Sequence, residues 1–524
     1  MNTSAQPETR RWPPQIKFIV GNEACERFSY YGMRSILAGY ITGAVLKGGL
    51  GQDADTSTEI IHLFVFANYF MPLFGAWLSD KFIGRYHTIL WVSLFYCAGH
   101  GVLACSDFVG GGVHGKLTCL FIGLALIAFG SGGIKPCVSA FMGDQFKPEQ
   151  SHLLQKAYGA FYWAINFGSF FSFLVIPWIK DHHGYSLAFG VPGILMAIAT
   201  FIFWLGTKHY VRVPPSRETK HAGFFKVFFH AFQIRLKIVA ADVRRLILPK
   251  STSESEPRHL GSYGKSFWDA ARSRFSESEI DAAKSVPPIL FVFALVPIFW
   301  SLFDQTNSTW VLQGQKMMEY NLPQFWFPTF DAIGNWLHGR TTWPLELVHP
   351  SIGAEQMQSA NPAIVMLLVP LFTLGIYPRL GRFASPLKRM AYGMFLAAGS
   401  YLIVAALQKQ IEAGAQLSVL WQTAPYIVLT AAEVLISTTG LEFAFREAAP
   451  ELKSIIMSFW LLTVAFGDLL VAAITKIFAN GTGESSVSTN RFLLYAGLTF
   501  IVAILFSLIA TTYRYRDAAA AEGK

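Results

Sequence analysis

The sequence has little charge. Only 14% of its 524 residues are Asp, Glu, Lys or Arg, whereas 52% are hydrophobic. Soluble domains carry about 25% charged residues. This deficit excludes an ordinary soluble domain and predicts a polytopic membrane protein.

Cysteine is also scarce, and no enzyme-like cluster accompanies it. The five cysteines lie in or beside apolar segments without metal-ligand spacing. Cys105 and Cys119 flank one short loop, so a bridge between them is an alternative to buried free thiols. No Ser or Cys has an evident neighbouring base. We therefore expect no metal and no cofactor, and a membrane-embedded enzyme is the disfavoured alternative.

Acidic residues are outnumbered by basic ones, and we expect no leader before the first span. The polar, proline-rich first 14 residues predict no cleavable signal peptide. The net charge is +9, and residues 208–286 hold 15 Lys or Arg against 8 Asp or Glu. Basic segments beside membrane spans mark the cytoplasmic side. That rule explains the surplus better than nucleic-acid binding, and no nucleic acid is expected as a partner.

Apolar stretches of spanning length fill the rest of the chain. A helix needs about 20 apolar residues to cross the hydrocarbon layer. Twelve stretches qualify: 15–41, 57–80, 86–105, 116–142, 156–179, 186–207, 287–312, 358–378, 386–408, 417–445, 454–479 and 490–512.

With twelve spans, the basic loops all fall on one side and both termini are cytoplasmic. The predicted organisation is a tail, a six-helix bundle, a linker, a second six-helix bundle and a tail, with bounds 1–14, 15–207, 208–286, 287–512 and 513–524. We expect two related halves, as in the major facilitator class.

The linker contains one stretch that resembles a thirteenth span. Residues 223–247 are apolar but carry six charged side chains. An extra span would also invert the second half and place its basic cluster, Arg379 to Arg389, on the outer side of the membrane. We therefore predict a basic amphipathic helix on the cytoplasmic membrane surface, followed by a second helical stretch at about 266–285.

The first span carries the most informative charges. A charge near the centre of a span costs roughly 2.5–3.5 kcal/mol on insertion scales. The i, i+3, i+4, i+7 spacing places the polar side chains on one face, and they are Glu23, Glu26, Arg27, Tyr30, Tyr31 and Arg34. This face cannot contact lipid. It is either a structural ion cluster or the binding and proton-handling face of a transporter.

A short motif follows the second span. Residues 75–85 read GAWLSDKFIGR, in which Asp80 and Arg85 can pair at a helix end and Gly84 permits a tight turn. The pattern, which begins at Gly75, resembles the loop signature of the major facilitator superfamily. That resemblance implies a role in holding the cytoplasmic gate.

Polar residues also occur inside the other spans of both halves. Lys135 follows four small residues and requires a carboxylate partner, unless it extends to the membrane surface. The remaining candidates are His62, Tyr69, Asn166, Trp300, Asp304, Asn361, Glu442 and Trp460. Each alone could be a packing polar group. Together they suit a zwitterion that carries an amide.

Four motifs resemble one family. GNEACERFSYYGMRSIL contains the Glu-x-x-Glu-Arg-Phe-x-Tyr-Tyr-Gly motif of the proton-dependent oligopeptide transporters, and FYWAINFGS, FWSLFDQ and LEFAFREAAP resemble its other signatures. The resemblance runs from about residue 15 to 512. It implies an all-α membrane protein of the major facilitator fold, with 12 transmembrane helices in two six-helix bundles.

The resemblance also implies roles for the candidate residues. The proton-coupling residues are Glu23, Glu26, Arg27, His62 and Asp304, and Asp304 pairs with Arg34 at the external gate. Arg34 and Lys135 face the peptide carboxylate, and Glu442 receives the amino group. Asn166 and Asn361 hold the peptide backbone. The aromatic residues Tyr30, Tyr31, Tyr69, Trp300 and Trp460 line the cavity or shape side-chain pockets.

The expected function is a proton-coupled symporter that imports di- and tripeptides, and peptide-like drugs with them, by alternating access. We expect a monomer in the plasma membrane, which is the cell inner membrane if the source is bacterial. Protons and the lipid bilayer are its other partners, and it is not an enzyme. The alternatives are a same-fold transporter of nitrate or an organic anion, and a peptide sensor without transport. The linker and Phe445-Arg446-Glu447 depart from the family pattern.

Overall fold

The computed structural model describes residues 12–215, 223–247, 266–327, 339, 346–348, 351–380, 385–449, 452–481 and 483–513. Most of the two predicted tails, and the middle of the predicted linker, lie outside these residues.

Long helices form the first half: α1 Ile16–Thr42, α2 Ala54–Leu78, α3 Gly84–Ala104, α4 Gly112–Gly143 and α5 Ser151–Leu205. α5 bends at Gly184, whose φ of +81° is one that glycine adopts without a steric penalty. The bend divides it into two helical parts that correspond to the fifth and sixth predicted spans. α1 packs along α5, and α3 packs along α4.

The linker is partly helical, as predicted. α6 is Phe224–Ile247, a 3-10 helix covers Phe267–Ser273, and α7 is Glu277–Lys284. Ser266 and Ser276 cap the last two helices in capping boxes. One face of α6 is buried through Phe224, Val227 and Ala231. The opposite face exposes an apolar stripe at helical spacing, formed by Phe225, Phe229, Phe232, Leu236 and Val239.

Shorter helices and breaks characterise the second half. The helices are α8 Val286–Phe293, α9 Pro297–Phe303, α10 Thr309–Gly314, α11 Ala360–Pro370, α12 Tyr377–Leu380, α13 Pro386–Glu412, α14 Thr423–Glu433, α15 Thr439–Glu447, α16 Lys453–Gly481 and α17 Thr489–Thr512. π-helical turns join α11 to α12 and α14 to α15. The helix axis bends by 42° before Pro297, because proline disrupts the preceding turn.

Two short antiparallel ladders lie between α10 and α11. The first pairs β1 Tyr320–Asn321 with β4 Ser351–Ile352, and the second pairs β2 Phe325–Phe327 with β3 Glu346–Val348. They belong to the long segment between the seventh and eighth predicted spans.

Eight helical stretches in the described part of the chain are long and apolar enough to span a membrane, or nine with the bent pair at 277–307. Two of them, Ala54–Ala104 and Leu153–Lys208, each cover two predicted spans. α1 is not among the eight because of its charges. The chain is therefore a nearly all-helical, multi-pass membrane protein, as predicted. The count of twelve spans and the domain bounds stay predictions.

The halves meet where α2 packs on α16 and α5 packs on α11. These contacts enclose the space in which the polar residues of both halves gather.

Candidate functional site

A cavity of about 170 Å³ lies between the two halves. α1, α2 and α5 form one wall, and α9, α11, α14 and the turns beside α9 and α11 form the other. Its lining residues are Tyr31, Arg34, Tyr69, Tyr162, Ile165, Asn166, Ser169, Phe173, Trp300, Phe303, Asp304, Thr306, Asn307, Gln358, Asn361, Tyr426 and Glu433. Seven of these were predicted from the sequence.

The first wall depends on close contact between α1 and α5. A Cβ at Gly168 would lie 3.1 Å from the backbone nitrogen of Phe28 and would also crowd the Ala24 carbonyl. Only glycine permits this approach, which brings Asn166 of α5 to the same cavity as Tyr31 of α1. Tyr162, one turn before Asn166, also lines the cavity and was missed by the sequence interpretation.

The second wall carries a buried acid that the sequence interpretation missed. Glu433 ends α14, and its Oε2 accepts a hydrogen bond from the Asn361 amide at 2.7 Å. The same Asn361 amide donates to Thr430 at 3.1 Å. The available signal was the apolar surroundings of Glu433 in the stretch LTAAEVLI.

The structure does not bring Glu442 to the cavity. Its carboxylate pairs with Arg389 at 2.6 Å and with Arg446 at 3.6 Å, and 40% of the side chain is exposed. Glu442 lies nine residues after Glu433, beyond the π-helical turn Val434–Thr438 and in the next helix, α15. The structure therefore does not place Glu442 in the described lining of the cavity, where the resemblance would have it, and the acid found there is Glu433.

Three predicted residues support the wall from behind. The Lys135 ammonium lies 3.6 Å from the centre of the Tyr69 ring and 5.7 Å from that of Tyr30, within cation–π range. The Tyr30 hydroxyl accepts a hydrogen bond from Asn68 at 2.8 Å. Trp460 packs edge-on against Trp300 with ring centres 6.4 Å apart. None of the three supporting residues is in the described lining of the cavity.

An ion pair crosses between the halves beside the cavity. Arg34 Nη2 of α1 lies 2.7 Å from Asp304 Oδ1, which follows α9, as the resemblance implied. His62 of α2 is also buried there. Its Nδ1 lies 2.6 Å from Asp468 Oδ1 of α16, and its Nε2 lies 2.8 Å from Ser308 Oγ. Asp468 was missed by the sequence interpretation.

The charged cluster of α1 is buried within the first half. Arg27 Nε lies 2.8 Å from Glu23 Oε1 and 2.7 Å from Glu26 Oε2. Ser131 of α4 donates a hydrogen bond to Glu26 at 3.5 Å. Lys135 interacts electrostatically with both carboxylates. One guanidinium and one ammonium thus balance two carboxylates away from lipid.

The loop motif forms a cap at the other end of the first half. Gly84 has a φ of +76°, and Arg85 makes two hydrogen bonds to Asp144, at 2.8 and 2.7 Å, as well as a longer pair with Asp80 at 3.8 Å. At Gly75 the backbone of α2 approaches Gly133 of α4 so closely that a Cβ would clash.

A second cross-half contact lies at the Arg34 end of the molecule. Lys180 of α5 lies 2.6 Å from Glu355, just before α11. Burial raises the pKa of the Glu355 carboxyl, whereas the Lys180 ammonium lowers it. Gln358 also donates a hydrogen bond to the Ser35 carbonyl at 3.1 Å. These bonds close the two halves against each other at this end.

The cavity is lined by groups that bind ligands through charges and hydrogen bonds. It presents a guanidinium, two carboxylates, amides and phenols to one small space. No group of three or more potential metal-ligating side chains occurs among the described residues.

Comparison with known proteins gives a consistent result. The model of the POT family matches residues 86–335 and 345–491. Solute carrier family 15 member 2 of Homo sapiens is 35% identical over 413 residues, which are 76% of this chain and 50% of the relative. Peptide transporter family 1 of Drosophila melanogaster is 36% identical over 77% of this chain and 49% of the relative. The chain thus spans about half the length of the curated relatives it matches.

Solved structures match over nearly the whole chain. The crystal structure of an auto-inhibited POT family peptide transporter has a TM-score of 0.77 and 37% identity, and the match covers 96% of this chain and 98% of that one. The structure of the POT family transporter PepTSo has a TM-score of 0.77 and 36% identity, with coverage of 96% and 99%. The major facilitator fold predicted from the sequence is confirmed.

Proposed function

This chain belongs to the POT family, and on that premise we propose that it is a proton-coupled symporter that imports di- and tripeptides by alternating access. The observation that carries the proposal is the cavity between the halves. It places Arg34 and Asn166 on the wall formed by the first half, and Glu433 and Asn361 on the wall formed by the second half.

These groups match the fixed parts of a peptide. Every dipeptide has an amine, an amide and a carboxylate, whereas its side chains vary. Glu433 receives the amine, and the Asn166 and Asn361 amides contact the peptide bond. Arg34 and the Lys135 charge behind Tyr69 attract the carboxylate. Charge-assisted hydrogen bonds at the two ends give orientation, and the aromatic lining accommodates varied side chains.

Glu433 also argues against the nearest alternative. A carboxylate in the cavity repels nitrate and other small anions, because like charges in a poorly hydrated space are costly. An amine in the substrate turns this cost into an attraction. A sensor without transport remains the second alternative, and only movement of the solute separates it from a transporter.

Proton coupling is assigned to the buried ion clusters. The cross-half groups around Arg34, Asp304 and His62 lose their partners when the halves separate, and the Glu23–Glu26–Arg27 cluster lies beside them within the first half. A change in burial or in the nearest charge changes proton affinity. Protonation of these groups weakens the cross-half bonds or compensates their charge, and so couples proton entry to the conformational cycle.

The placement in the cell follows the same proposal. The protein lies in the plasma membrane, the cell inner membrane in a bacterium, as a monomer with both termini cytoplasmic. The Arg34 end is then external and the Arg85 loop cytoplasmic. α6 lies along the cytoplasmic surface, where its exposed apolar stripe enters the interface and the exposed Lys226 and Lys237 face lipid headgroups.

Uptake of labelled dialanine into liposomes that contain the purified protein tests the proposal. We expect accumulation that depends on an inward proton gradient and that unlabelled dipeptides, but not free alanine, abolish. Binding without accumulation indicates a sensor. Nitrate uptake without a dialanine effect contradicts the proposed substrate.

A further inference from the structure

Asp468 is a buried carboxylate with no role in the function proposed above. It lies in the middle of α16, none of its side chain is exposed, and its Oδ1 is 2.6 Å from His62 Nδ1. An ionised carboxylate that is removed from water is strongly unfavourable unless it is paired and hydrogen-bonded. Its partner His62 is a neutral ring unless it takes up a proton.

The groups around Asp468 come from both halves. Asp304 interacts electrostatically with Asp468, as do Arg34, Lys135 and Tyr30, and His62 contacts it directly. Asp304 and Asp468 each retain one buried oxygen, Oδ2, without a hydrogen-bond partner among the described residues.

The charge count of this cluster is unbalanced. Arg34 supplies one positive charge, Asp304 and Asp468 supply two negative charges, and a neutral His62 supplies none. Lys135 is shared with the α1 cluster, where it and Arg27 face two carboxylates. With both Asp304 and Asp468 ionised and His62 neutral, this fully buried site would carry one excess negative charge, which a single proton removes.

Either position of that proton requires Asp468. A proton on His62 forms an imidazolium–carboxylate pair at the observed 2.6 Å contact. A proton on one carboxyl lets it donate a hydrogen bond to the other, because two ionised carboxylates have no donor between them. In that case a buried oxygen of the Asp304–Asp468 pair gains a partner.

We infer that Asp468 is a proton-coupling residue, which shares one proton with His62 and Asp304 and needs that proton for α2 to close on α16. The inference rests on the proposed function. When the halves separate at the Arg34 end, external water reaches this cluster and supplies the proton. Closure removes the proton from external water and carries it with the substrate.

The test compares the wild type with Asp468→Asn in liposomes. The amide keeps the shape of the side chain but holds neither the charge nor the proton. We expect exchange of labelled for unlabelled dialanine without a gradient to persist. In Asp468→Asn, the gradient-driven accumulation ratio is expected to fall by about tenfold per pH unit of gradient, because each coupled proton contributes that factor. The uptake rate of the variant is also expected to depend less on external pH.

A matched control lies on the same helix pair. Glu59 of α2 pairs with Lys476 of α16 at 3.5 Å, outside the cluster and partly exposed. Glu59→Gln removes a carboxylate from this interface and is expected to retain accumulation. An unchanged accumulation ratio and pH profile in Asp468→Asn overturns the inference.

The remaining outcomes are also decisive. If Asp468→Asn shows no exchange, the test is made with Asp468→Glu. This variant keeps a titratable carboxyl, so we expect accumulation to persist with a displaced pH profile. A pH profile identical to that of the wild type overturns the inference. No dialanine exchange by the wild type contradicts the proposed function and this inference together. Normal wild-type transport with an unchanged Asp468→Asn contradicts this inference alone.

Discussion

At the scale of single residues, the Asn361–Glu433 contact fixes the position at which the cavity would bind a substrate amine. The 2.7 Å hydrogen bond fixes the Glu433 carboxylate on the wall formed by α11 and α14. A group that is held before binding loses little rotamer freedom when the substrate arrives. The bond therefore favours an amine at one defined position.

We predict that Glu433→Gln weakens dialanine binding, whereas Glu442→Gln does not. A hydrogen bond to a charged group contributes about 1.5–3 kcal/mol, and so the affinity is expected to fall by roughly 10- to 100-fold. Glu442 pairs with Arg389 away from the cavity lining. Equilibrium binding of labelled dialanine to the purified variants measures both effects.

N-acetyl-dialanine provides the control on the ligand side. It lacks the charged amine, so Glu433→Gln is expected to change its binding far less than that of dialanine. Equal losses for both ligands would show that Glu433 supports the fold of the cavity and does not recognise the amine.

The same two acids show what the sequence could establish. Both occur in the tenth predicted span, and the motif around Glu442 resembled a family pattern, so the sequence interpretation chose Glu442. A single sequence does not reveal which of the two faces the cavity, and the π-helical turn between them removes the regular spacing on which such a prediction would rest. Asp468 was missed for a related reason: its contact with His62 joins positions 406 residues apart.

At the scale of helices, close approach of α16 to α9 positions the groups on both. A Cβ at Gly467 would lie 2.7 Å from the Pro297 carbonyl oxygen and 2.7 Å from Trp300 Cβ. Glycine at this position lets Asp468, the next residue, reach the seam between the halves. It also supports Trp300, which lines the cavity.

We predict that Gly467→Ala destabilises the protein by about 1–3 kcal/mol, because an added methyl in a packed contact forces the helices apart. The thermal unfolding midpoint of the purified variant measures this loss. Gly497→Ala on α17 is the matched control, since no atom lies within 4 Å of the added Cβ. Its midpoint is expected to stay the same or rise slightly. A Gly467→Ala midpoint equal to that of Gly497→Ala would refute the packing argument.

Helices were the most predictable elements, because long apolar stretches between charged or glycine-containing turns specify them directly. The breaks were not. The π-helical turns at Leu371–Ile376 and Val434–Thr438 occur in apolar sequence without a distinct local signal. They change which residues face the cavity, because a π-helical turn shifts the angular position of the residues after it.

At the scale of the whole molecule, two short ion pairs join the halves at the Arg34 end, besides the His62–Asp468 contact and the longer Glu59–Lys476 pair between α2 and α16. The two short pairs are Arg34–Asp304 and Lys180–Glu355, at 2.7 and 2.6 Å. The Arg85–Asp144 and Arg389–Glu442 pairs each lie within one half. The structure is thus closed at the Arg34 end, and opening there breaks the Arg34–Asp304 and Lys180–Glu355 pairs.

We predict that Lys180→Met shifts the equilibrium toward the form that is open at this end. A partly buried pair of this kind contributes about 1–3 kcal/mol, between the exposed and fully buried limits, and 1.4 kcal/mol changes a population ratio tenfold. Spin labels at Leu46 and Lys316, both exposed at this end, report the separation by pulsed electron paramagnetic resonance. The distance distribution is expected to gain a longer component.

The charge swap Lys180→Glu with Glu355→Lys separates the pair from the individual side chains. It restores the attraction across the seam, so the longer component is expected to shrink again. Lys116→Met is the control: it removes the 2.6 Å ion pair between Lys116 and Asp107, which lies at the same end but within the first half. It is expected to leave the distances between the spin labels unchanged. If Lys116→Met lengthens them as much as Lys180→Met does, loss of surface charge and not the cross-half bond controls opening. Because closure at this end also buries His62 and Asp468, a variant that opens it exposes the same cluster that exchanges the proton.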